Sequence, residues 1–176
     1  MVKKILLGLG VIFVVLQFFR IDKENPVADP SLDFMELTSP PAEVATILKT
    51  ACYDCHSYKT EYPWYTNVAP VSWWIADHIN HGRGELNFSE WANYSYKRAD
   101  HKLEEGVEMV EDFEMPLPSY TWAHGDARLS DTQRELLIDW FSDLRAEMKE
   151  QQDQDDSEQE ENSEDHEHEE GEGHDQ

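Results

Sequence analysis

The chain has 176 residues, which is enough for one domain with extensions, and its formal net charge is −24. Its 38 acidic residues outnumber 14 Lys and Arg, so it lacks the clustered cations that bind phosphate, which argues against nucleic acid as a partner. The charge is uneven along the chain. Residues 150–176 contain 14 acidic residues and no Lys or Arg, which leaves −10 for the rest of the chain.

The first predicted element is an apolar N-terminal segment. It runs from Ile5 to Phe19, interrupted only by Gln17, and Arg20 ends it. This length is at the lower limit for a membrane span, and no cleavage site of small residues follows closely. We predict a transmembrane signal anchor over residues 1–21, with a cleaved signal peptide as the alternative. In both cases the rest of the chain is exported.

Residues 22–41 contain four prolines and few periodic apolar residues, a composition that predicts a tether. Pro41 suits the first turn of a helix. The apolar residues that follow share the spacing of one helix face: Val44, Ile47, Leu48 and Ala51. The predicted helix therefore leads directly into the chain's two cysteines.

Cys52 and Cys55 are the only cysteines, and His56 follows the second. This order is the attachment pattern of a c-type haem, because two thiols at this spacing can add to two vinyl groups and the imidazole can bind the iron. A thioredoxin-like redox pair would lie near a βαβ pattern, a zinc site would need further ligands, and a disulfide would span a very short loop. We predict one covalent haem c with His56 as the proximal iron ligand.

Aromatic residues are dense in the next segment, where two prolines predict an irregular loop. Trp64, Tyr65 and Trp73 are predicted to cover the haem, since large flat side chains bury much apolar area. An ordinary hydrophobic core without haem contact is the alternative. Arg83 is predicted to pair with a haem propionate or to face solvent.

The remaining segments predict helices and an acidic tail. One helix ends at Gly82, a usual C-terminal stop. Few alternating β-branched runs occur, so the fold class is all-α, and the tail composition predicts disorder. A weak divalent-metal site at its histidines, His166, His168 and His174, is the less favoured alternative. The predicted helices are Val71 to His81, a short helix capped by Ser89, Ala99 to Val110, and a last helix from the capping box Ser130-x-x-Gln133 to about Lys149.

The sixth iron ligand decides what a haem would do. Met115, in an irregular loop beside Pro116, is the leading candidate, and methionine with histidine raises the reduction potential of haem iron. His78 is the best rival, ahead of three other histidines in the body, and an open iron is a further alternative. The other three are His81, His101 and His124.

From about Val44 to Leu144 the chain resembles the small haem-binding domain proteins of bacterial envelopes, a branch of the c-type cytochrome superfamily. The segments that carry the resemblance are Cys52 to Ser57, Pro63-Trp64-Tyr65, Ala69 to Trp73, His78 with Gly82-Arg83, Leu86 to Trp91, Met115-Pro116 with Tyr120, and His124 to Ser130. The resemblance implies a small cytochrome c-like helical domain around one haem.

These observations give the expected organisation: anchor 1–21, tether 22–41, haem domain 42–149 and tail 150–176. Because c-type haem is attached outside the bacterial cytoplasmic membrane, we expect a single-pass protein whose domain faces the periplasm. We expect a monohaem electron carrier, not a catalyst, with basic redox partners because its own surface is acidic. The alternatives are a haem enzyme or sensor with a displaceable sixth position, or a bis-histidine haem.

Overall fold

A computed structural model describes the backbone of residues 1–169 and the side chains of residues 1–158. Within that range all regular elements are helical, which confirms the all-α fold class. The α-helices are α1 (Val2–Leu16), α2 (Phe34–Thr38), α3 (Ala42–Ala51), α4 (Tyr53–His56), α5 (Val71–Glu85), α6 (Tyr96–Glu111), α7 (Pro118–Ala123) and α8 (Asp131–Glu169). Between them lie the 3₁₀ helices Pro30–Leu32, Trp64–Asn67, Phe88–Asn93 and Gly125–Ala127.

The core is built around Phe34, whose side chain is fully buried. Its ring stacks on Phe88 at 4.9 Å between centroids and meets Trp91 edge-on at 4.6 Å. Such aromatic pairs stabilise a small core beyond their buried area. Helices α3, α6 and α8 enclose this cluster with buried aliphatic side chains, among them Val44, Ile47, Leu48, Leu103 and Leu137.

Phe34 shows that the prediction of a tether over residues 22–41 was wrong for its second half. Asp33 caps α2 by accepting a hydrogen bond from Met35 N at 3.1 Å. The same buried carboxylate accepts from Tyr53 Oη at 3.0 Å and pairs with Lys59 Nζ at 2.8 Å. The segment from Asp33 onward therefore belongs to the domain, although α2 is only 5 residues long and too short to leave a periodic pattern.

The N-terminal helix differs from the predicted anchor over residues 1–21. Helix α1 has 15 residues; at 1.5 Å per residue it covers about 22 Å, against a hydrocarbon core of about 30 Å. Among the described residues, no helix is long and apolar enough to cross a membrane. Gln17, just after α1, instead exchanges hydrogen bonds with the backbone of Ala69 at 2.9 and 3.0 Å.

The helix predicted to end at Gly82 continues to Glu85. Gly82 is needed for close approach, because a Cβ built there would lie 3.0 Å from the carbonyl oxygen of Cys55. Helix α5 therefore passes directly over the cysteine segment. A glycine that permits contact and a glycine that ends a helix look the same in sequence.

Two predicted helix starts have different outcomes. Ser130 and Gln133 form the predicted capping box: Ser130 Oγ accepts from Gln133 N at 3.2 Å, and Gln133 Oε1 accepts from Ser130 N at 3.0 Å. Ser89 is not a cap, because Asn87 caps the 3₁₀ helix by accepting from Ser89 N at 3.0 Å. Helix α6 begins at Tyr96, earlier than predicted, behind the cap Ser95.

The last helix continues well beyond Lys149. The backbone of α8 is helical to Glu169, so disorder from residue 150 is not confirmed. Glu and Gln are good helix formers, which allows a polar helix to extend from a packed one. Residues 170–176, and the side chains from residue 159 onward, including those of His166, His168 and His174, lie outside the described residues.

Candidate functional site

Helices α3 and α4 meet at Cys52, the first residue of the cysteine segment. Cys52 is both the C-cap of α3 and the N-cap of α4, a helix of 4 residues that ends at His56. Ser57 then stops the turn, and its Oγ donates to the carbonyl of Tyr53 at 2.6 Å. Because the Tyr53 hydroxyl donates to the buried Asp33 carboxylate, Tyr53 fixes the segment to the core.

The imidazole of His56 is held as a neutral group. Its Nδ1 lies 3.0 Å from the carbonyl oxygen of Leu86, and a carbonyl only accepts, so Nδ1 carries the proton and Nε2 does not. Burial lowers the pKa of His56, which also favours the neutral ring. A neutral histidine oriented by a backbone carbonyl is the usual form of a metal-binding imidazole.

The two cysteines are free thiols. Burial raises the pKa of Cys52 to about 12 and that of Cys55 to about 11. A thioredoxin-type redox cysteine needs a lowered pKa to supply a thiolate near neutral pH. The site therefore does not have the electrostatics of such a pair.

A cavity of about 520 Å³ opens beside this segment. Cys52, Cys55, His56 and Met115 all line it, although Met115 lies far along the chain. Its size falls in the range of about 300–1,000 Å³ typical of ligand sites. Gly82 also lines the cavity, where a side chain would crowd Cys55. Two thiols, a neutral imidazole and a thioether around one such cavity suit a haem group.

The loop that carries Met115 is held by Arg134, a residue that the sequence did not single out. Arg134 Nη1 donates to the carbonyl oxygens of Val110 and, at 3.0 Å, Met115. Its guanidinium lies 4.1 Å from the ring of Phe113, which has a left-handed backbone (φ 61°) where α6 ends. Arg134 on α8 therefore fixes both ends of the turn from α6 into the methionine loop.

The segment from Leu86 to Trp91 supports the proximal side of the cavity. Phe88 stacks on Tyr53 with 5.0 Å between centroids and meets the His56 ring edge-on at 6.3 Å. Ser89 Oγ accepts from Tyr58 N at 3.0 Å, so this segment also holds the chain just after the cysteine segment. Phe88 and Ser89 thus both hold the cysteine segment in place.

The structure places the predicted haem-covering residues in different surroundings. Tyr65 lines a second, adjoining cavity, whereas Trp64 and Trp73 line neither cavity. Trp64 is 77% exposed, and Trp73 Nε1 donates to the carbonyl of Phe19 at 2.7 Å. Arg83 also lies off both cavity walls and donates at 2.8 Å to three groups in the neighbouring chain segments: Ser57 O, Asn25 Oδ1 and Thr60 Oγ1.

The four histidines of the body are separated by the structure. His78 and His81 line the large cavity, whereas His101 lies on α6 beside Glu104 and Glu105. Both ring nitrogens of His124 have partners, Tyr120 O at 3.2 Å and Tyr65 Oη at 3.0 Å. His78 uses only Nδ1, 2.8 Å from Trp74 O, so its Nε2 has no hydrogen-bond partner among the described groups. His78 and His81 are therefore the histidines of the body that stay possible rivals to Met115.

Lys102 is a cavity residue that the sequence analysis missed. It is the one cation among the described residues that line the large cavity, which also has four carboxylates: Asp77, Glu85, Glu105 and Glu114. Lys102 Nζ bonds Glu105 at 2.6 Å and Glu85 at 3.2 Å. The hydrogen bond to Glu105 raises the pKa of Lys102, so the Lys102 ammonium stays charged at the cavity wall. A charged ammonium there suits a ligand that carries carboxylates, as haem does.

This helical fold and its cavity define a small domain suited to bind haem. A family model described as a haem-binding domain matches residues 11–143, and the chain belongs to that family. No curated protein and no solved structure matches the chain. Membership confirms the resemblance at the level of a haem-binding domain and supports haem as the cofactor, whereas placement in the c-type superfamily stays a prediction.

Proposed function

We propose that this protein is a monohaem c-type cytochrome that carries single electrons in the bacterial envelope. The observation that carries the proposal is the large cavity, because Cys52, Cys55, His56 and Met115 share its wall. In this proposal the two thiols form thioethers with one haem, and His56 and Met115 are the axial ligands. The bound haem supplies a one-electron redox couple, whose potential methionine raises.

The chain's own residues would hold these ligands with little movement. Leu86 O keeps the Nδ1 proton of His56 and leaves Nε2 free to bind iron. Arg134 on α8 keeps the Met115 backbone in place. Ligands fixed by the protein change geometry little when an electron arrives, which favours a carrier over a catalyst.

The proposed location is the outer face of the cytoplasmic membrane, where c-type haem is attached. In this proposal the apolar residues of α1, which are exposed as far as Val15, direct export and associate with the membrane. The carboxylates around the cavity favour basic redox partners, whose docking would weaken with salt.

Mass spectrometry and optical spectroscopy of the exported protein test the proposal. The mass should exceed that of the polypeptide by one haem after denaturation and acid extraction. The oxidised spectrum should contain a far-red methionine–iron band, which Met115→Ala removes and His78→Ala preserves. A colourless protein, or a pigment that acid extraction frees, would refute covalent attachment.

A bis-histidine haem is the second candidate, because His78 lines the same cavity and has a free Nε2. It predicts no far-red band in the wild type and a changed spectrum only in His78→Ala. An enzyme or sensor would instead bind carbon monoxide in the reduced wild-type protein without any substitution, since its sixth position is open or displaceable.

A further inference from the structure

A second cavity of about 320 Å³ adjoins the haem cavity. It lies between the loop at residues 60–66, α5 and α7, and it shares Cys55, His78, Leu117 and Tyr120 with the larger cavity. Cys52, His56 and Met115 do not line it. It therefore extends away from the residues of the haem cavity that would bind iron in the proposed function, and it adjoins that cavity along these four shared residues.

Its wall is mostly apolar. Aromatic and aliphatic side chains supply most of the lining, including Val71, Trp74, Ile75 and Trp122. The Trp122 indole is 88% exposed at the edge of this cavity, where it is free to cover a guest. No Lys or Arg is among the described residues that line it, so phosphate and carboxylate ligands would lack a partner charge.

The polar residues on the wall include the carboxylates of Asp54 and Glu61, which only accept hydrogen bonds, and several hydroxyls. The hydroxyls of Tyr65 and Tyr120 have protons that are already donated to neighbours. His124 Nδ1 must donate to the carbonyl of Tyr120, at 3.2 Å, so its Nε2 can only accept, and Tyr65 Oη donates to it at 3.0 Å. Tyr120 Oη donates to Asp54 Oδ2 at 2.7 Å. Burial raises the pKa of both tyrosines, so both remain neutral.

Each phenol oxygen can therefore only accept a further hydrogen bond. A ligand that matches this wall has a flat apolar body and at least one hydroxyl donor. Tyr65 and Tyr120 lie on one side of the cavity, because His124 bonds one and stacks on the other with 4.1 Å between ring centroids. An aliphatic guest would fill the same volume but leave both acceptors unused.

We propose that the second cavity binds a hydroxylated aromatic ring of the hydroquinone class, with its hydroxyl donating to Tyr65 or Tyr120. Its one or two fused rings would pack against Trp74 and Trp122. The proposal is one of ring binding only, and it rests on the proposed function in one respect, that haem fills the adjoining cavity with which this one shares Cys55.

The test compares two redox-inert probes on the haem-loaded, reduced protein under anaerobic conditions. 1-Naphthol carries the hydroxyl donor, and 1-methoxynaphthalene has the same rings without it. We expect calorimetry to give about two- to tenfold tighter binding of 1-naphthol, the range that corresponds to one net hydrogen bond. Equal affinities would show that the tyrosine oxygens do not select the ligand and would overturn the proposal.

Substitutions locate the binding. The double variant Tyr65→Phe, Tyr120→Phe should bind 1-naphthol only as tightly as the methoxy probe, whereas Tyr96→Phe on α6, away from the cavity, should bind like the wild type. If the double variant does not fold, the comparison of probes on the wild type still decides. Binding to haem-free protein alone would show that haem fills this space, and it would also overturn the proposal. The acid-stable haem content of each sample reports separately on the proposed function.

Discussion

The methionine side of the haem cavity should depend on Arg134. Arg134→Met keeps the aliphatic stem but removes the bonds from Nη1 to Val110 O and Met115 O. Hydrogen bonds from charged donors contribute about 1.5–3 kcal/mol each, and the contact with Phe113 adds about 0.5–1 kcal/mol. The two bonds do not contribute in full, because one nitrogen makes both and Nε has no partner among the described groups. We therefore expect the free energy of unfolding to fall by about 3 kcal/mol.

The assay is urea unfolding of the haem-loaded protein, followed by far-ultraviolet circular dichroism and by the far-red band. In the wild type the two signals should change together. In Arg134→Met the band should disappear at lower urea than the helical signal, because the Met115 loop opens before the domain unfolds. Arg134→Lys should restore part of the band's resistance, since an ammonium group can still donate to one carbonyl.

The matched control is Arg145→Met on the same helix. Arg145 pairs with Asp100 at 2.7 Å and Glu104 at 3.1 Å in a partly exposed setting. Such ion pairs contribute about 0–1 kcal/mol, so this variant should lose little stability and keep its band. If Arg134→Met is no less stable than Arg145→Met and its band is equally resistant, Arg134 does not hold the loop.

Three further outcomes are expected. Gly82→Ala should lower the free energy of unfolding in urea by about 1–3 kcal/mol and lower the yield of covalent haem, because the new Cβ would meet Cys55 O. Gly84→Ala is the control: it has open space around it and should raise the free energy of unfolding by up to about 1 kcal/mol. Arg83→Met should destabilise the protein but leave the haem spectrum and potential unchanged; a shifted potential would instead favour propionate pairing. Stability should fall as pH rises above about 10, because the unfolded chain then releases a proton that folded Tyr120, with its raised pKa, retains. Tyr120→Phe should remove part of that loss, and an unchanged pH profile would contradict the assignment.

Local patterns predicted the parts of the fold that depend on neighbours in sequence. The face of α3 with Val44, Ile47 and Leu48 and the Ser130 capping box both appear as predicted. Each is set within one or two helical turns, which a single sequence contains. The pairing of two cysteines with a histidine is equally local, so these ligand candidates could be named without a structure.

Contacts between distant segments could not be read in this way. No sequence pattern indicates that Gly82 lies against Cys55 or that Asp33 is buried in the core. Arg134 sits in a helix with charged neighbours, a pattern typical of a solvent-facing position. Arg83 is a similar case, because the sequence predicted a haem propionate partner or a solvent-facing position, whereas the structure shows hydrogen bonds to the surrounding segments.

The two sides of the cavity are supported by different parts of the chain. His56 is held by Leu86 O and crowded by Phe88, both directly after α5, and Gly82 of α5 covers Cys55. Met115 is held from α8, through Arg134 in the first turn of that helix. Helix ends open more easily than helix interiors. Because the proximal ligand is also next to two covalent attachment points in the proposed haem protein, the methionine side should open first under any stress that loosens α8.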